Sequence, residues 1–131
     1  MKLSFWREKM DENAVTVVYK WTAKPEKLGE LTEIYKGVTQ AMKDNEPGAK
    51  AVHVYVSEDD NALYVRDEFD DANALGFHLS QTAAAHFPDL LAVATPGQFQ
   101  FFGNVPAEMQ QAALQMGLAA EFGTHVAGFD R

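Results

Sequence analysis

The sequence predicts an α+β domain built on an antiparallel sheet with helices packed against one face. Three observations predict it. Apolar residues alternate, as in half-buried strands, over Ala14 to Thr22, Ala51 to Ser57 and Ala62 to Phe69; a stripe of period 3.6 runs between the first two of these segments; and turn residues separate the runs.

In the first strand, Val15, Val17, Tyr19 and Trp21 fall on one face and Thr16, Val18 and Lys20 on the other. Pro25 suits a first helical position and Glu26 the positive end of a helix dipole, so a helix is expected to begin there. Its apolar stripe is Leu28, Leu31, Ile34, Tyr35, Val38 and Met42, and Asn45, Pro47 and Gly48 end it. Val52, Val54 and Val56 alternate with His53, Tyr55 and Ser57, and the polar run Glu58 to Asn61 makes a hairpin loop before the third strand. Asp70 or Asp71 caps a further helix through Ala74, Leu75, His78 and Leu79, with a break expected near Pro88 and a continuation through Leu90, Leu91 and Val93. Pro96-Gly97 is expected to turn the chain into a short aromatic strand, Gln98 to Phe102. Pro106 opens a last helix with Met109, Leu114 and Met116, and the tail Phe122 to Phe129 alternates weakly as a further strand.

This is the split β-α-β ordering of a ferredoxin-like domain. The divisions are an N-terminal segment, 1–13, a core domain, 14–105, and a C-terminal helix and tail, 106–131. Several strands are apolar on both faces, Val18 opposing Val17 and Phe102 opposing Phe101. Helices on one side leave that second face in water, so a homodimer that supplies a second sheet is expected, the alternative cover being the tail.

A chain of 131 residues, 47% hydrophobic and 23% charged, has the size and composition of one globular domain. A net charge of -8 repels phosphate backbones and anionic lipid, so neither nucleic acid nor a membrane is an expected partner. The chain has no cysteine, which removes disulfides, thiolate metal sites and thiol nucleophiles. Leu3, Phe5 and Trp6 are too little apolar bulk for a signal peptide, and no stretch approaches the roughly 20 apolar residues of a membrane span. A cytoplasmic location is expected.

The sequence carries no GxGxxG fingerprint, P-loop, GxSxG elbow or HExxH motif, so nucleotide cofactors and hydrolase triads lose their usual warrant. The four histidines are the main acid–base candidates, because imidazole titrates nearest neutrality. His78 and His86 lie on one helical segment roughly 80° apart, close enough to share a cavity, with no third ligand placed to suggest a metal. His53 and His125 read as interfacial or exposed. Trp21, Tyr64, Phe77, Phe87, Phe99 and Phe101 can line a site for a planar ligand or form an ordinary core. Arg66 can pair with Asp67 or Glu68, or offer a cation to a ligand oxygen.

The stretch Leu63-Tyr64-Val65-Arg66-Asp67-Glu68-Phe69-Asp70-Asp71 through Phe77-His78-Leu79, followed by His86-Phe87, resembles the antibiotic biosynthesis monooxygenase family. Trp21-Thr22-Ala23-Lys24-Pro25-Glu26 resembles that family's first strand-to-helix junction, and the likeness extends over about Val15 to Phe102. The resemblance implies a dimeric α+β barrel with a cavity between helices and sheet. It also implies oxygenation of an electron-rich aromatic, quinol or polyketide-like small molecule by molecular oxygen, with no cofactor and no metal. His78 is the matching helix histidine and the implied catalytic base or hydrogen-bond partner; Trp21, Tyr64, Phe77 and His86 are implied substrate-binding walls, with Arg66 a partner for developing negative charge. Phe69 stands where the family often has tryptophan, which removes an indole donor and weakens the likeness to haem-degrading members; haem is not assigned. The competing expectation is a noncatalytic dimeric ligand-binding or stress-related barrel.

Overall fold

A computed structural model describes residues 13–131, so most of the expected N-terminal segment lies outside the described residues. Five strands form one sheet in the order β2-β3-β1-β4-β5. They are β1 (Val15–Ala23), β2 (Ala49–Ser57), β3 (Ala62–Phe69), β4 (Ala94–Gly103) and β5 (Ala119–Gly123). The helices are α1 (Leu28–Asn45), α2 (Ala72–His78), α3 (Ala84–Val93) and α4 (Ala107–Gln115), and a π-helical turn, Leu79–Ala83, joins α2 to α3.

Register places the apolar alternation on one side. Val17 of β1 stands between Asp67 of β3 and Phe101 of β4, and Tyr19 between Val65 and Phe99. These residues are buried with Leu31, Tyr35, Val38 and Met42, the inward stripe of α1. The sheet is antiparallel except at its edge, where β5 runs parallel to β4 and lays Phe122 beside Phe101. The α+β class and ferredoxin-like ordering expected from the sequence are therefore present.

Five local readings change. The helix α1 begins at Leu28 rather than Pro25, because Lys24 to Lys27 close a turn (Lys27 N–H to Lys24 O, 3.0 Å) with Glu26 left-handed at φ 64°. Proline followed by a positive φ is a turn geometry, not a helix start. Pro88 sits inside α3; the irregularity falls at Leu79–Ala83, where a π-turn absorbs an extra residue without breaking the rod. Pro96 and Gly97 lie within β4 beside a register shift between Tyr19 and Trp21, so they mark a bulge instead of a turn. The tail strand is Ala119–Gly123, ahead of the weak alternation; in α4 the buried residue is Ala113, and Leu114 is exposed.

Asp71, one of the two expected caps, accepts the Ala74 N–H at 2.9 Å and starts α2. Gly48 fixes how closely α2 approaches the end of α1, since a Cβ there would stand 2.6 Å from the Ala74 Cβ. The helix-free face of the sheet carries Val18, Tyr64, Arg66 and Phe102, with Tyr55 57% exposed. The tail reaches only one end of it, where Thr124 to Asp130 border a groove with Thr16, Glu68 and Phe102; Val126 remains 92% exposed and Phe129 79%.

Candidate functional site

Between the helix-covered face of the sheet and the α2–π-turn–α3 rod lies a cavity of about 40 Å³. Its walls are mostly apolar, including Val38, Leu75, Leu90 and Phe99, but polar groups enter from four sides. From β1 come Tyr19 and Trp21, from α1 Tyr35, from β3 Asp67, and from the helical rod His78 and His86.

A chain of hydrogen bonds crosses the floor. The Trp21 indole N–H donates to the Tyr35 hydroxyl (3.0 Å), Tyr35 donates to the Tyr19 hydroxyl (3.2 Å), and Tyr19 donates to Asp67 Oδ2 (3.0 Å). Asp67 is 1% exposed and its Oδ1 has no hydrogen-bond partner. Burial, opposed in part by His78 and the Tyr19 hydroxyl, pushes its carboxyl up to about 6. Burial also raises both tyrosines, Tyr19 further through the neighbouring Asp67 charge, so each stays a neutral phenol.

On the helical side, His78 Nδ1 lies 3.0 Å from Glu46 Oε2, with both side chains buried. Burial drives the Glu46 carboxyl upward, but hydrogen bonding to His78 and the influence of the Thr82 hydroxyl outweigh it, and the net displacement is downward. An ionised Glu46 can only accept, so the His78 Nδ1 carries a proton and Nε2 is the nitrogen that Glu46 leaves free. His86 is fixed the same way, its Nδ1 standing 2.9 Å from the Thr82 carbonyl oxygen. The Phe69 ring packs beside His78 with centroids 5.3 Å apart, and Phe87 meets Trp21 edge-on at 5.8 Å.

The structure brings three of the sequence-derived site residues, Trp21, His78 and His86, to this cavity, together with Phe87. It does not bring Tyr64 or Arg66 there. Odd-numbered residues of β3 face the helices, so Tyr64 and Arg66 point to the opposite side, where Tyr64 donates to Asp60 and Arg66 pairs with Glu68 at 3.0 Å. Phe77 is 47% exposed on the outer side of α2 and is absent from the cavity wall. Sequence reasoning missed Glu46, Asp67, Tyr19 and Tyr35. Asp67 had a signal, as the single carboxylate in the inward series Leu63, Val65, Asp67, Phe69; Glu46, beside Pro47-Gly48, read as turn chemistry. Among the described residues, no three His, Asp or Glu side chains gather closely enough to hold a metal ion.

The family profile described as antibiotic biosynthesis monooxygenase matches residues 14–89. A search of curated proteins finds no match. Among solved structures, MupZ from Pseudomonas fluorescens superposes with a TM-score of 0.75 at 15% identity, over 92% of this chain and 91% of that one. A conserved protein from Methanosarcina mazei Go1 gives 0.64 at 22% identity, over 74% and 98%. SnoaB, a cofactor-independent oxygenase from Streptomyces nogalater, gives 0.61 at 20% identity, over 72% of this chain and 96% of that one. At these identities the structural likeness speaks for the fold, whereas the profile match spans more than half of the sequence: the chain belongs to the antibiotic biosynthesis monooxygenase family.

Proposed function

We propose that the protein is a cofactor-independent monooxygenase that oxidises an electron-rich aromatic, quinol or polyketide-like small molecule with molecular oxygen. The observation that carries this reading is a buried histidine, His78, oriented by a buried carboxylate, Glu46, at the wall of an apolar cavity. Family membership and the likeness to an oxygenase fold support it. Such chemistry needs a base to make an electron-rich anion and a site that excludes bulk water.

In this reading His78 Nε2 removes a proton from an activated CH₂ group of the substrate, and Glu46 stabilises the imidazolium that forms. The carbanion delivers its electrons to oxygen; one oxygen atom becomes the product carbonyl and the other leaves as water. The balance is CH₂ + O₂ → C=O + H₂O, with the substrate itself as reductant. Trp21 and His86 serve as walls around the reacting ring, and Tyr64, Arg66 and Phe77 lie too far round the fold to touch a ligand in this cavity. The protein works as a homodimer in the cytoplasm, its partner covering the sheet face that carries Val18 and Phe102. No helix of the described residues is long and apolar enough to cross a membrane.

The size of the cavity favours a second reading, a dimeric ligand-binding barrel without catalysis. About 40 Å³ admits roughly three water molecules, so a polycyclic substrate requires the helical rod to move outward. Oxygen-electrode assays with a panel of quinols and anthrones separate the two. Oxygenase activity is expected in the wild type and the exposed control Lys43→Ala, and lost in His78→Ala. Tight binding without oxygen consumption establishes the second reading.

A further inference from the structure

Among the described residues, three side chains lining the cavity can donate a hydrogen bond irrespective of histidine protonation, Trp21, Tyr35 and Tyr19, and all three donors are spent. The directions are forced by chemistry. An indole N–H can only donate, so Trp21 gives its proton to Tyr35; an ionised carboxylate can only accept, so Tyr19 gives its proton to Asp67; the Tyr35 proton then has only the Tyr19 oxygen to go to. Neither phenol keeps a proton for a ligand. The Nδ1 atoms of the two histidines face Glu46 and the Thr82 carbonyl, so a ring that carries a single proton presents Nε2 as an acceptor. Among the described residues no lysine or arginine lines the cavity, and the cations of β1 and β3, Lys20 and Arg66, point to the other side of the sheet, Lys20 over the Tyr64 ring and Arg66 towards Glu68.

Two buried side-chain oxygens among the described residues lack a partner, Glu46 Oε1 and Asp67 Oδ1, and of the two only Asp67, 1% exposed, lines the cavity. A buried acceptor without a partner carries a cost that a suitable donor removes. We propose that Asp67 is the specificity-determining acceptor of this site: its free oxygen takes the hydrogen bond of a hydroxyl on a neutral ligand, and the cavity refuses carboxylates and ligands that offer only acceptors. The chain Trp21–Tyr35–Tyr19 acts as a positioning device, holding Oδ2 and leaving Oδ1 as the unpaired oxygen. This deepens the oxygenase reading by assigning what the ligand must carry, and it rests on that reading for placing the ligand in this cavity.

The test is binding to the full-length protein under anaerobic conditions, by calorimetry at pH 8, above the raised value of about 6 for Asp67. Four probes are used: hydroquinone, p-xylene of the same shape without hydroxyls, 1,4-dimethoxybenzene with acceptors only, and benzoate. Wild type is expected to bind hydroquinone about tenfold or more tighter than p-xylene or dimethoxybenzene and to reject benzoate. Asp67→Asn turns the free acceptor into an N–H₂ donor, so hydroquinone is expected to weaken about tenfold while p-xylene is unchanged and dimethoxybenzene gains. A purely structural role for Asp67 would weaken all probes together.

Equal affinity of wild type for hydroquinone and p-xylene overturns the proposal, as does an Asn variant that keeps the hydroxyl preference, or the failure of every probe to bind at millimolar concentration. Should Asp67→Asn not fold, Tyr19→Phe serves, since it frees the second Asp67 oxygen; the hydroxyl preference is expected to persist there, and its loss overturns the assignment. Because oxygen is excluded, the two readings separate. A hydroxyl preference in a protein that never consumes oxygen removes the oxygenase and leaves the Asp67 assignment; oxygen consumption without that preference does the reverse.

Discussion

His78 Nδ1 and Glu46 Oε2 stand 3.0 Å apart in the interior, although 32 residues separate them in sequence. Glu46 follows α1 and His78 ends α2, so the pair ties the two helices together at the point where the cavity begins. A buried carboxylate that holds an imidazole in one tautomer makes the opposite nitrogen available for proton transfer.

Glu46→Gln keeps the shape of the carboxylate and removes its charge. Loss of imidazolium stabilisation is expected to lower kcat about ten- to a hundredfold with little change in KM, measured as oxygen consumption on the best substrate of the panel. An unchanged kcat would assign the pair to stability alone.

The two buried carboxyls respond to pH in opposite senses. Asp67 is raised from 3.8 to about 6, so the folded state holds its proton more tightly than the unfolded chain, and stability falls as pH climbs between those values. That displacement is equivalent to about 3 kcal/mol. Asp67→Asn is therefore expected to be more stable than wild type at pH 8, by up to about 3 kcal/mol, with the gain fading towards pH 4 in urea denaturation. Glu46 is lowered, so its stabilisation is present above its unfolded value of 4.5 and is lost as pH falls through the folded one. Glu46→Gln should accordingly cost stability at neutral pH and converge on wild type in acid.

The open sheet face gives a prediction about assembly. Val18 sits on that face of the central strand β1, between Arg66 and Gln100. Sedimentation of the wild type at micromolar concentration is expected to report a dimer, and Val18→Arg a monomer, because an unpaired cation in an apolar interface costs several kcal/mol. A wild-type monomer would remove the second sheet from the account.

Gly48 couples backbone packing to the site. A methyl group there would lie 2.6 Å from the Ala74 Cβ, which has no freedom to swing aside, so α2 must shift away from Glu46. Gly48→Ala is expected to destabilise by about 1–3 kcal/mol in denaturant titrations and to reduce activity by loosening His78. Ala74→Gly in the same chain should restore activity; failure of that rescue would locate the damage elsewhere.

Period-two and period-3.6 patterns made β1, β3 and the buried stripe of α1 legible, since they report which face meets the core. His78 and His86 were legible from their spacing on one helical segment, the family resemblance singled out His78, and Trp21 was legible from its place among the apolar residues of β1. Tyr64 and Arg66 were attractive by chemistry, yet the same alternation that places Asp67 inside carries them to the other side of the sheet. The pairing of Glu46 with His78 was illegible because it depends on how two helix ends meet, which Gly48 and the Asp71 cap set and no local pattern encodes. Likewise the π-turn at Leu79–Ala83 replaced the irregularity expected at Pro88: His78 and His86, roughly 80° apart on an unbroken α-helix, both line the cavity, and the wider turn between them brings them towards one face.

Proton removal by His78 is the step on which the functional account turns, and it can be watched without oxygen. A hydroxyanthrone, which carries both the activated CH₂ and a hydroxyl donor for Asp67, is expected on anaerobic incubation with the protein in D₂O to exchange its activated C–H protons well above the buffer rate, as read by NMR, and His78→Ala is expected to return exchange to that rate. Exchange equally fast in His78→Ala, or no acceleration by the wild type, would contradict it.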